Sequence, residues 1–130
     1  MGDIIVDKYS FLHFIVGILF YAININFSST FLLHTLFELF ENSAKGIIFI
    51  DTYLPFWPGG KRKADTMINT ISDTIINMLG WGAAKMLKTV YKIKKSYLLI
   101  FALITIFAYV EIRKSLKVIL DNAKNWITFF

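Results

Sequence analysis

The sequence contains no cysteine, and this absence excludes three kinds of chemistry. Without cysteine there is no disulfide framework, no thiolate zinc site and no cysteine nucleophile, and the redox state of the compartment cannot be inferred. Proline is also scarce: the two prolines, Pro55 and Pro58, lie together with Gly59 and Gly60 in one segment, residues 46–63. These residues break any helix, so we predict that this segment is the one real loop.

The chain also lacks the features of a cleaved signal peptide and of a nucleic-acid-binding domain. Asp3 and Asp7 stand before the first apolar run, where a signal peptide has basic residues, and no small-residue cleavage site follows that run. The formal net charge of +5 comes from short basic blocks beside apolar segments, such as Lys61–Lys63, without a basic groove and stacking aromatics. We therefore expect these blocks to face anionic lipid headgroups, and we expect no nucleic-acid partner.

Hydrophobic side chains, in contrast, are abundant. Of the 130 residues, 56% are hydrophobic and 17% aromatic, and the mean hydropathy is +0.58, values far above those of an ordinary soluble domain. We predict an all-α fold in one domain over residues 1–130, a polytopic membrane helical bundle of about four membrane helices plus a C-terminal amphipathic helix. The membrane helices are predicted near 10–26, 29–42, 65–87 and 96–113, and the amphipathic tail over 115–128.

Two of the predicted helices carry polar stripes. In the third helix, polar residues recur at four-residue intervals and therefore share one face with a serine: Asp65, Asn69, Ser72, Asp73 and Asn77. In the second helix, His34, Glu38 and Glu41 share a face in the same way. A charged group in hydrocarbon costs on the order of several kcal/mol unless it is paired or neutralised. We therefore expect the stripes to meet near a histidine, around a compensating cation, a shared proton or a water-filled cavity.

The predicted polar pocket has three functional interpretations, which the spacing alone leaves open. A divalent metal could be held by Glu38, Glu41 and Asp73 and could activate water against a lipid headgroup. Alternatively, a buried carboxylate could act with histidine as a general acid or base. The cluster could also be a relay or pocket for an ion or polar solute, without bond chemistry. The candidate catalytic residues are His13, His34, Glu38, Glu41 and Asp73, and the supporting pocket residues are Asn42, Asp65, Asn69, Ser72 and Asn77.

These polar residues also have purely structural explanations. Asp65 begins a predicted helix and could be only its N-cap. The other members of its stripe could serve only as hydrogen-bond partners between helices, and His13 could be a satisfied core residue. At the other end of the same helix, Gly80 and Ala84 form a small-x-x-x-small pattern, which predicts a helix-packing surface.

Three blocks of residues resemble an uncharacterised family of small bacterial integral membrane proteins, a domain of unknown function. The blocks are Asp7–Ser10 with His13, Gly17 and Phe20-Tyr21; Glu38–Ser43; and Asp65-Thr66 with Asn69-Thr70 and Ser72-Asp73. Val16 stands where that family tends to have a second histidine, and Phe49–Thr52 stand where it has an Arg-Tyr-Arg-like stretch. A more distant likeness connects the chain with VanZ-like membrane proteins. The resemblance implies a membrane fold and shared polar residues, and it implies no activity.

Two functional hypotheses follow from these observations. The first is a small multi-pass integral membrane protein whose polar pocket binds or acts on a lipid headgroup, in a bacterial inner membrane or a viral internal membrane. The alternative is a non-enzymatic membrane scaffold or assembly component, for example of a large DNA virus, since the Ile- and Lys-rich composition is typical of AT-rich genomes. Both predict the lipid bilayer and a homo-oligomer or larger protein assembly as partners. Whether the chain is an enzyme is left open.

Overall fold

The computed structural model describes residues 5–7, 9–54, 61 and 63–127, and of residues 117 and 120–127 it describes the backbone alone. Within these ranges the chain is all-α, as predicted, and has no strand. Its helices are α1 Ser10–Ala22, α2 Phe27–Glu41, α3 Ala44–Tyr53, α4 Met67–Thr89 and α5 Lys95–Ile127. The predicted loop residues Pro55, Pro58, Gly59 and Gly60, and the last residue of the predicted tail, Thr128, lie outside the described residues.

The long helices run alternately up and down. The Ser10 hydroxyl contacts Asp73, and further along both helices Trp81 Nε1 donates to the carbonyl oxygen of Ile25, so α1 and α4 are parallel. In α5, Lys95 contacts Asn24 beyond the end of α1, and Arg113 contacts Tyr9 before its start, so α5 is antiparallel to α1. The end of α2 meets the start of α4, because the backbone N–H of Asp65 donates to Asn42 Oδ1. The starts of α1 and α4 and the end of α2 therefore lie together, at what we call the polar end of the bundle.

Side-chain caps fix several helix ends. The Oδ1 atom of Asn26 accepts from the backbone N–H of Ser29 at 2.8 Å, so α2 begins slightly earlier than predicted. At the start of α4, the Thr66 hydroxyl accepts from the backbone N–H of Asn69 at 3.4 Å. The suggestion that Asp65 is the N-cap is therefore wrong, because the neighbouring threonine occupies that position and leaves the Asp65 carboxylate for another contact.

The helix α3 occupies part of the segment that was predicted to be a loop. Ser43 caps it, since its hydroxyl accepts from the backbone N–H of Gly46 at 3.0 Å. The helix ends at Tyr53 because Leu54 precedes a proline, which disfavours helical backbone, and Leu54 has a ψ angle of 67°. The prolines and glycines that follow Leu54 in the sequence therefore determine where α3 ends, but they do not prevent a helix from forming before them.

Two elements that the sequence predicts separately, the helix over 96–113 and the tail over 115–128, form the single helix α5. The sequence between Lys95 and Ile127 contains neither glycine nor proline, so no residue interrupts the helical backbone there. The amphipathic character of the tail depends partly on side chains outside the described set and stays a prediction.

Among the described residues, one helical segment is long and apolar enough to cross a membrane. This segment is Lys95–Leu116, with a hydropathy of 1.7. The apolar helix α1 has 13 residues and α2 has 15, whereas a span needs about 17 or more. Four membrane spans therefore do not follow from the lengths and composition of the helices.

The apolar core lies away from the polar end, between α1, α4 and α5. Its buried members are Ile15, Ile18, Ala22, Ala84, Leu98 and Ala102. Beside it the backbones of α1 and α4 come very close, since a Cβ atom on Gly80 would lie 2.0 Å from the carbonyl oxygen of Phe14. A Cβ atom on Gly17 would lie equally close, 2.0 Å from the carbonyl oxygen of Asn77. Of the two residues predicted to form a packing surface, Gly80 thus lies against the backbone of α1, and Ala84 is buried in the apolar core.

We predict that Gly80→Ala destabilises the protein, because the new methyl group would meet rigid backbone of α1 and force the two helices apart. Overpacking of this kind costs about 1–3 kcal/mol or more. The measurement is the midpoint of thermal unfolding of the purified protein, followed by far-UV circular dichroism.

The matched control is Gly82→Ala in the same helix, where a Cβ atom would meet nothing within 4 Å. This change should leave stability unchanged or raise it by up to about 1 kcal/mol through better helix propensity. Equal unfolding midpoints for the two variants would contradict the close approach of α1 and α4.

Candidate functional site

A buried lysine joins two of the predicted pocket carboxylates, and we call Lys61, Glu41 and Asp65 the lysine cluster. The Lys61 ammonium donates to Glu41 Oε1 at 2.6 Å and also to Asp65 Oδ2. Lys61 is 3% exposed, so the expectation that this basic block faces lipid headgroups is wrong for Lys61. Of the three kinds of compensation expected for the acidic residues, a cation is present for Glu41 and Asp65. This cation is Lys61, which precedes α4 in the chain.

The environment of Lys61 keeps its side chain charged. Burial lowers the pKa of Lys61, but the adjacent carboxylates of Glu41 and Asp65 outweigh this effect and raise it above the ordinary lysine value. The stabilisation from this raised pKa is therefore complete below the pKa of a free lysine and is lost as the pH rises through the higher value of the folded state.

Two hydrogen bonds from backbone N–H groups also hold the lysine cluster in place. Lys61 N–H donates to Asp51 Oδ1 at 2.6 Å, and Asp65 N–H donates to Asn42 Oδ1 at 2.7 Å.

Next to the lysine cluster, two histidines and a glutamate converge, and we call His13, His34 and Glu38 the histidine cluster. His13 Nδ1 and His34 Nε2 lie 2.8 Å apart. Glu38 Oε1 lies 3.4 Å from His13 Nδ1 and 3.8 Å from His34 Nε2. The side chains of His34 and Glu38 are 2% and 1% exposed. Helical geometry places His34 and Glu38 on one face of α2, and the neighbouring helix α1 brings in His13.

The outer nitrogen of each histidine faces a polar residue of α4. His13 Nε2 lies 3.6 Å from Asp73 Oδ2, and His34 Nδ1 lies 3.3 Å from the Thr74 hydroxyl. Asp73 is itself fixed, since the Ser10 hydroxyl donates to its Oδ1 atom at 2.6 Å. The outer nitrogens of both imidazole rings therefore lie beside polar residues of α4, while the inner nitrogens lie beside each other and beside Glu38.

The histidine cluster could hold a metal ion. One donor atom from each of His13, His34 and Glu38 lies within 4.8 Å of the other two. The Glu38 Oε1 atom is also buried and has no hydrogen-bond partner, although it lies close to both rings. The sequence predicted Glu38, Glu41 and Asp73 as metal ligands, and the structure separates these three. Glu41 pairs with Lys61, and Asp73 lies behind His13.

A cavity of about 290 Å³ adjoins both clusters and is lined by α1, α2, α4 and α5. Near the polar end its walls are titratable or polar: Asp7, Tyr9, His13, His34, Glu41, Lys61, Asp65, Asn69 and Asp73. The other lining residues are apolar: Leu12, Val16, Phe20, Phe37, Ile106 and Val110. One end of the cavity is thus polar, and the rest of its wall is apolar.

Four of the five supporting residues predicted from the sequence, Asn42, Asp65, Asn69 and Asn77, lie at these clusters or line the cavity beside them. Asn42 Nδ2 donates to the Glu38 carbonyl oxygen at 2.9 Å, and Asn77 Nδ2 donates to the His13 carbonyl oxygen at 2.9 Å. Asn69, Ser72, Asp73 and Asn77 all lie on the buried face of α4, as their spacing predicts.

Three residues that contact these clusters, Lys61, Ser10 and Thr74, were not predicted from the sequence to belong to the pocket. Lys61 stands four residues before Asp65 in the sequence, and this proximity was the available signal for the lysine cluster. Ser10 and Thr74 carry no comparable signal, because their roles depend on how α1 and α2 pack against α4.

We predict that Lys61→Met lowers the free energy of unfolding by about 3–5 kcal/mol, because it leaves two buried carboxylates without their cation. The measurement is chemical or thermal unfolding followed by circular dichroism. The matched control is Lys45→Met on the exposed surface of α3, which should change stability by less than about 0.5 kcal/mol.

The double variant Glu41→Gln/Lys61→Met should regain part of the lost stability, because one of the two uncompensated charges is then removed. If Lys61→Met is as stable as Lys45→Met, the lysine cluster does not support the fold.

Comparison with known proteins adds no relative: no family model matches the chain, and no curated protein or solved structure is significantly similar to it. The resemblance to the small bacterial membrane family therefore stays a prediction.

Proposed function

We propose that this chain is a multi-pass membrane protein whose polar cavity binds the headgroup of a membrane lipid. The observation that carries the proposal is the distribution of side chains, which is the reverse of that in a soluble domain. Polar side chains make up most of the buried set in the described residues, and large hydrophobic side chains cover the outside.

The reversal is clearest on the helices that build the site. On α2, Glu38 is 1% exposed whereas Leu36 is 52% and Leu39 63% exposed. On α4, Asp73 is 3% exposed whereas Ile75 is 54% exposed. In water such a surface would leave a large apolar area unburied and would favour aggregation. In a bilayer the same surface is solvated by lipid tails, and the polar residues face inward, where they pair with one another.

The dimensions of α5 support the same proposal. Residues 96–110 carry no charged side chain, and basic residues stand on both sides of them, at Lys95 and at Arg113-Lys114. At 1.5 Å per residue, the distance from Lys95 to Arg113 is about 27 Å, close to the hydrocarbon thickness of a bilayer. Long basic side chains at these two levels can reach the headgroups while their stems remain in hydrocarbon.

The cavity suits an amphiphile with one polar end and one apolar end. Its apolar wall, which includes Val16, Phe20 and Ile106, can contact an acyl chain. Its polar end has four carboxyl groups, and Lys61 is the basic residue among the described residues that line it. Because Lys61 is already shared by two of these carboxylates, an anionic headgroup would be repelled. We therefore propose a headgroup that carries an amine or hydroxyl groups.

We predict that the protein retains phosphatidylethanolamine in preference to phosphatidylglycerol. Protein purified in a mild detergent is mixed with equal amounts of the two lipids, and native mass spectrometry measures the bound fraction of each. Val16→Trp, which fills the cavity, should reduce the bound fraction about tenfold. Leu39→Trp adds the same side chain at an exposed position of α2 and should leave lipid binding unchanged.

Circular dichroism on both variants separates loss of binding from loss of folding. Equal lipid retention by folded Val16→Trp and Leu39→Trp would overturn the cavity as the binding site. Recovery of the protein in the soluble fraction after cell lysis, without detergent, would overturn the membrane location.

A further inference from the structure

We propose that His13, His34 and Glu38 form a binding site for a divalent transition-metal ion of the zinc type. The site would use His13 Nδ1, His34 Nε2 and Glu38 Oε1. It differs from the ligand set that spacing suggested, because two of its donors are nitrogens. The inference does not depend on lipid binding, since the donor atoms belong to the chain itself.

The spacing of the donors fits one ion. Imidazole nitrogens and carboxylate oxygens bind zinc at about 2.0–2.2 Å, so tetrahedral ligands stand about 3.3–3.5 Å from one another. The observed separation of 3.4 Å lies within that range, 2.8 Å lies below it and 3.8 Å lies above it. For one ion to bind all three donors, the 2.8 Å separation must widen and the 3.8 Å separation must narrow.

A second observation points to a ligand at this position. Glu38 is 1% exposed, and its Oε1 atom has no hydrogen-bond partner. A buried polar atom without a hydrogen-bond partner is costly. This oxygen lies beside the two inner histidine nitrogens, which share one hydrogen bond. A divalent cation between the three atoms would release the proton of that hydrogen bond to water and would then bind the oxygen and both nitrogen lone pairs.

The surroundings are those of a metal site. In metalloproteins, a ligating histidine usually donates its other ring N–H to a carboxylate, a carbonyl or water, which fixes the ring and raises its basicity. The Thr74 hydroxyl is within hydrogen-bond distance of the outer nitrogen of His34, at 3.3 Å, and Asp73 Oδ2 lies beside the outer nitrogen of His13, at 3.6 Å. Ser10 in turn donates to Asp73.

The donor set also selects the class of metal. Calcium and magnesium prefer six or more oxygen ligands, whereas imidazole suits zinc, copper, iron and nickel. The carboxylates that could add oxygen ligands, Glu41 and Asp65, are paired with Lys61. Three protein ligands leave at least one coordination position for water or another ligand, and both histidines line the cavity.

The test is a titration of the full-length protein, stripped of metal with a chelator, with Zn²⁺ and separately with Mg²⁺. We expect one Zn²⁺ per chain, measured by equilibrium dialysis and elemental analysis, and no comparable binding of Mg²⁺. Co²⁺ in place of Zn²⁺ should give visible absorption bands of a four- or five-coordinate site with nitrogen ligands.

Variants then assign the site. Glu38→Gln keeps the shape of the side chain and should weaken Zn²⁺ binding by about 100-fold, and Asp73→Asn should weaken it by about 10–100-fold through the orientation of His13. The matched control is Glu111→Gln, an exposed carboxyl group on α5 paired with Lys114, which should leave Zn²⁺ affinity unchanged.

The absence of Zn²⁺ and Co²⁺ binding by the wild-type protein would overturn the proposal, and this result does not depend on the folding of any variant. Equal Zn²⁺ affinity in folded Glu38→Gln and in the wild type would overturn it as well. Neither result bears on lipid retention, which is read from Val16→Trp in protein without added metal.

Discussion

The burial of carboxyl groups inside a bundle with an apolar outer surface is the constraint on which the rest of this structure depends. An isolated ionised carboxylate away from water is strongly disfavoured, and pairing is what makes its burial tolerable. Lys61 binds Glu41 and Asp65 at the polar end. Glu38 and Asp73 lie beyond its reach and face the two histidines instead. Two of these acidic side chains thus pair with the Lys61 ammonium, and the other two lie beside the imidazole rings of His13 and His34.

The two clusters therefore differ in whether all of their polar atoms have partners within the chain. The lysine cluster is complete within the chain, and its charges, hydrogen bonds and backbone contacts hold the end of α2 against the start of α4. The histidine cluster has a buried oxygen without a hydrogen-bond partner. A structural cluster would be expected to satisfy all of its members, and the exception is the reason to look for a ligand there.

The sequence predicted those features that depend on local geometry. Four-residue spacing follows from the helical repeat, and it correctly placed His34, Glu38 and Glu41 on one buried face of α2 and Asp73 with Asn77 on that of α4. The sequence did not predict features that depend on the path of the chain between helices. The burial of Lys61 is one of them, because a basic residue beside apolar segments has the same local signature whether it faces lipid or a carboxylate. The pairing of His13 with His34 is another, since it depends on how closely α1 approaches its neighbours.

This small bundle combines an apolar outer surface, a polar cavity and a donor set of two nitrogens and one oxygen. The most direct test of the proposed zinc site is anomalous scattering at the zinc edge from crystals grown with Zn²⁺. The account predicts a peak between His13 Nδ1, His34 Nε2 and Glu38 Oε1, about 2.0–2.2 Å from each donor. The absence of a peak at this position, or a zinc ion bound instead by Glu41 and Asp65 in place of Lys61, would contradict it.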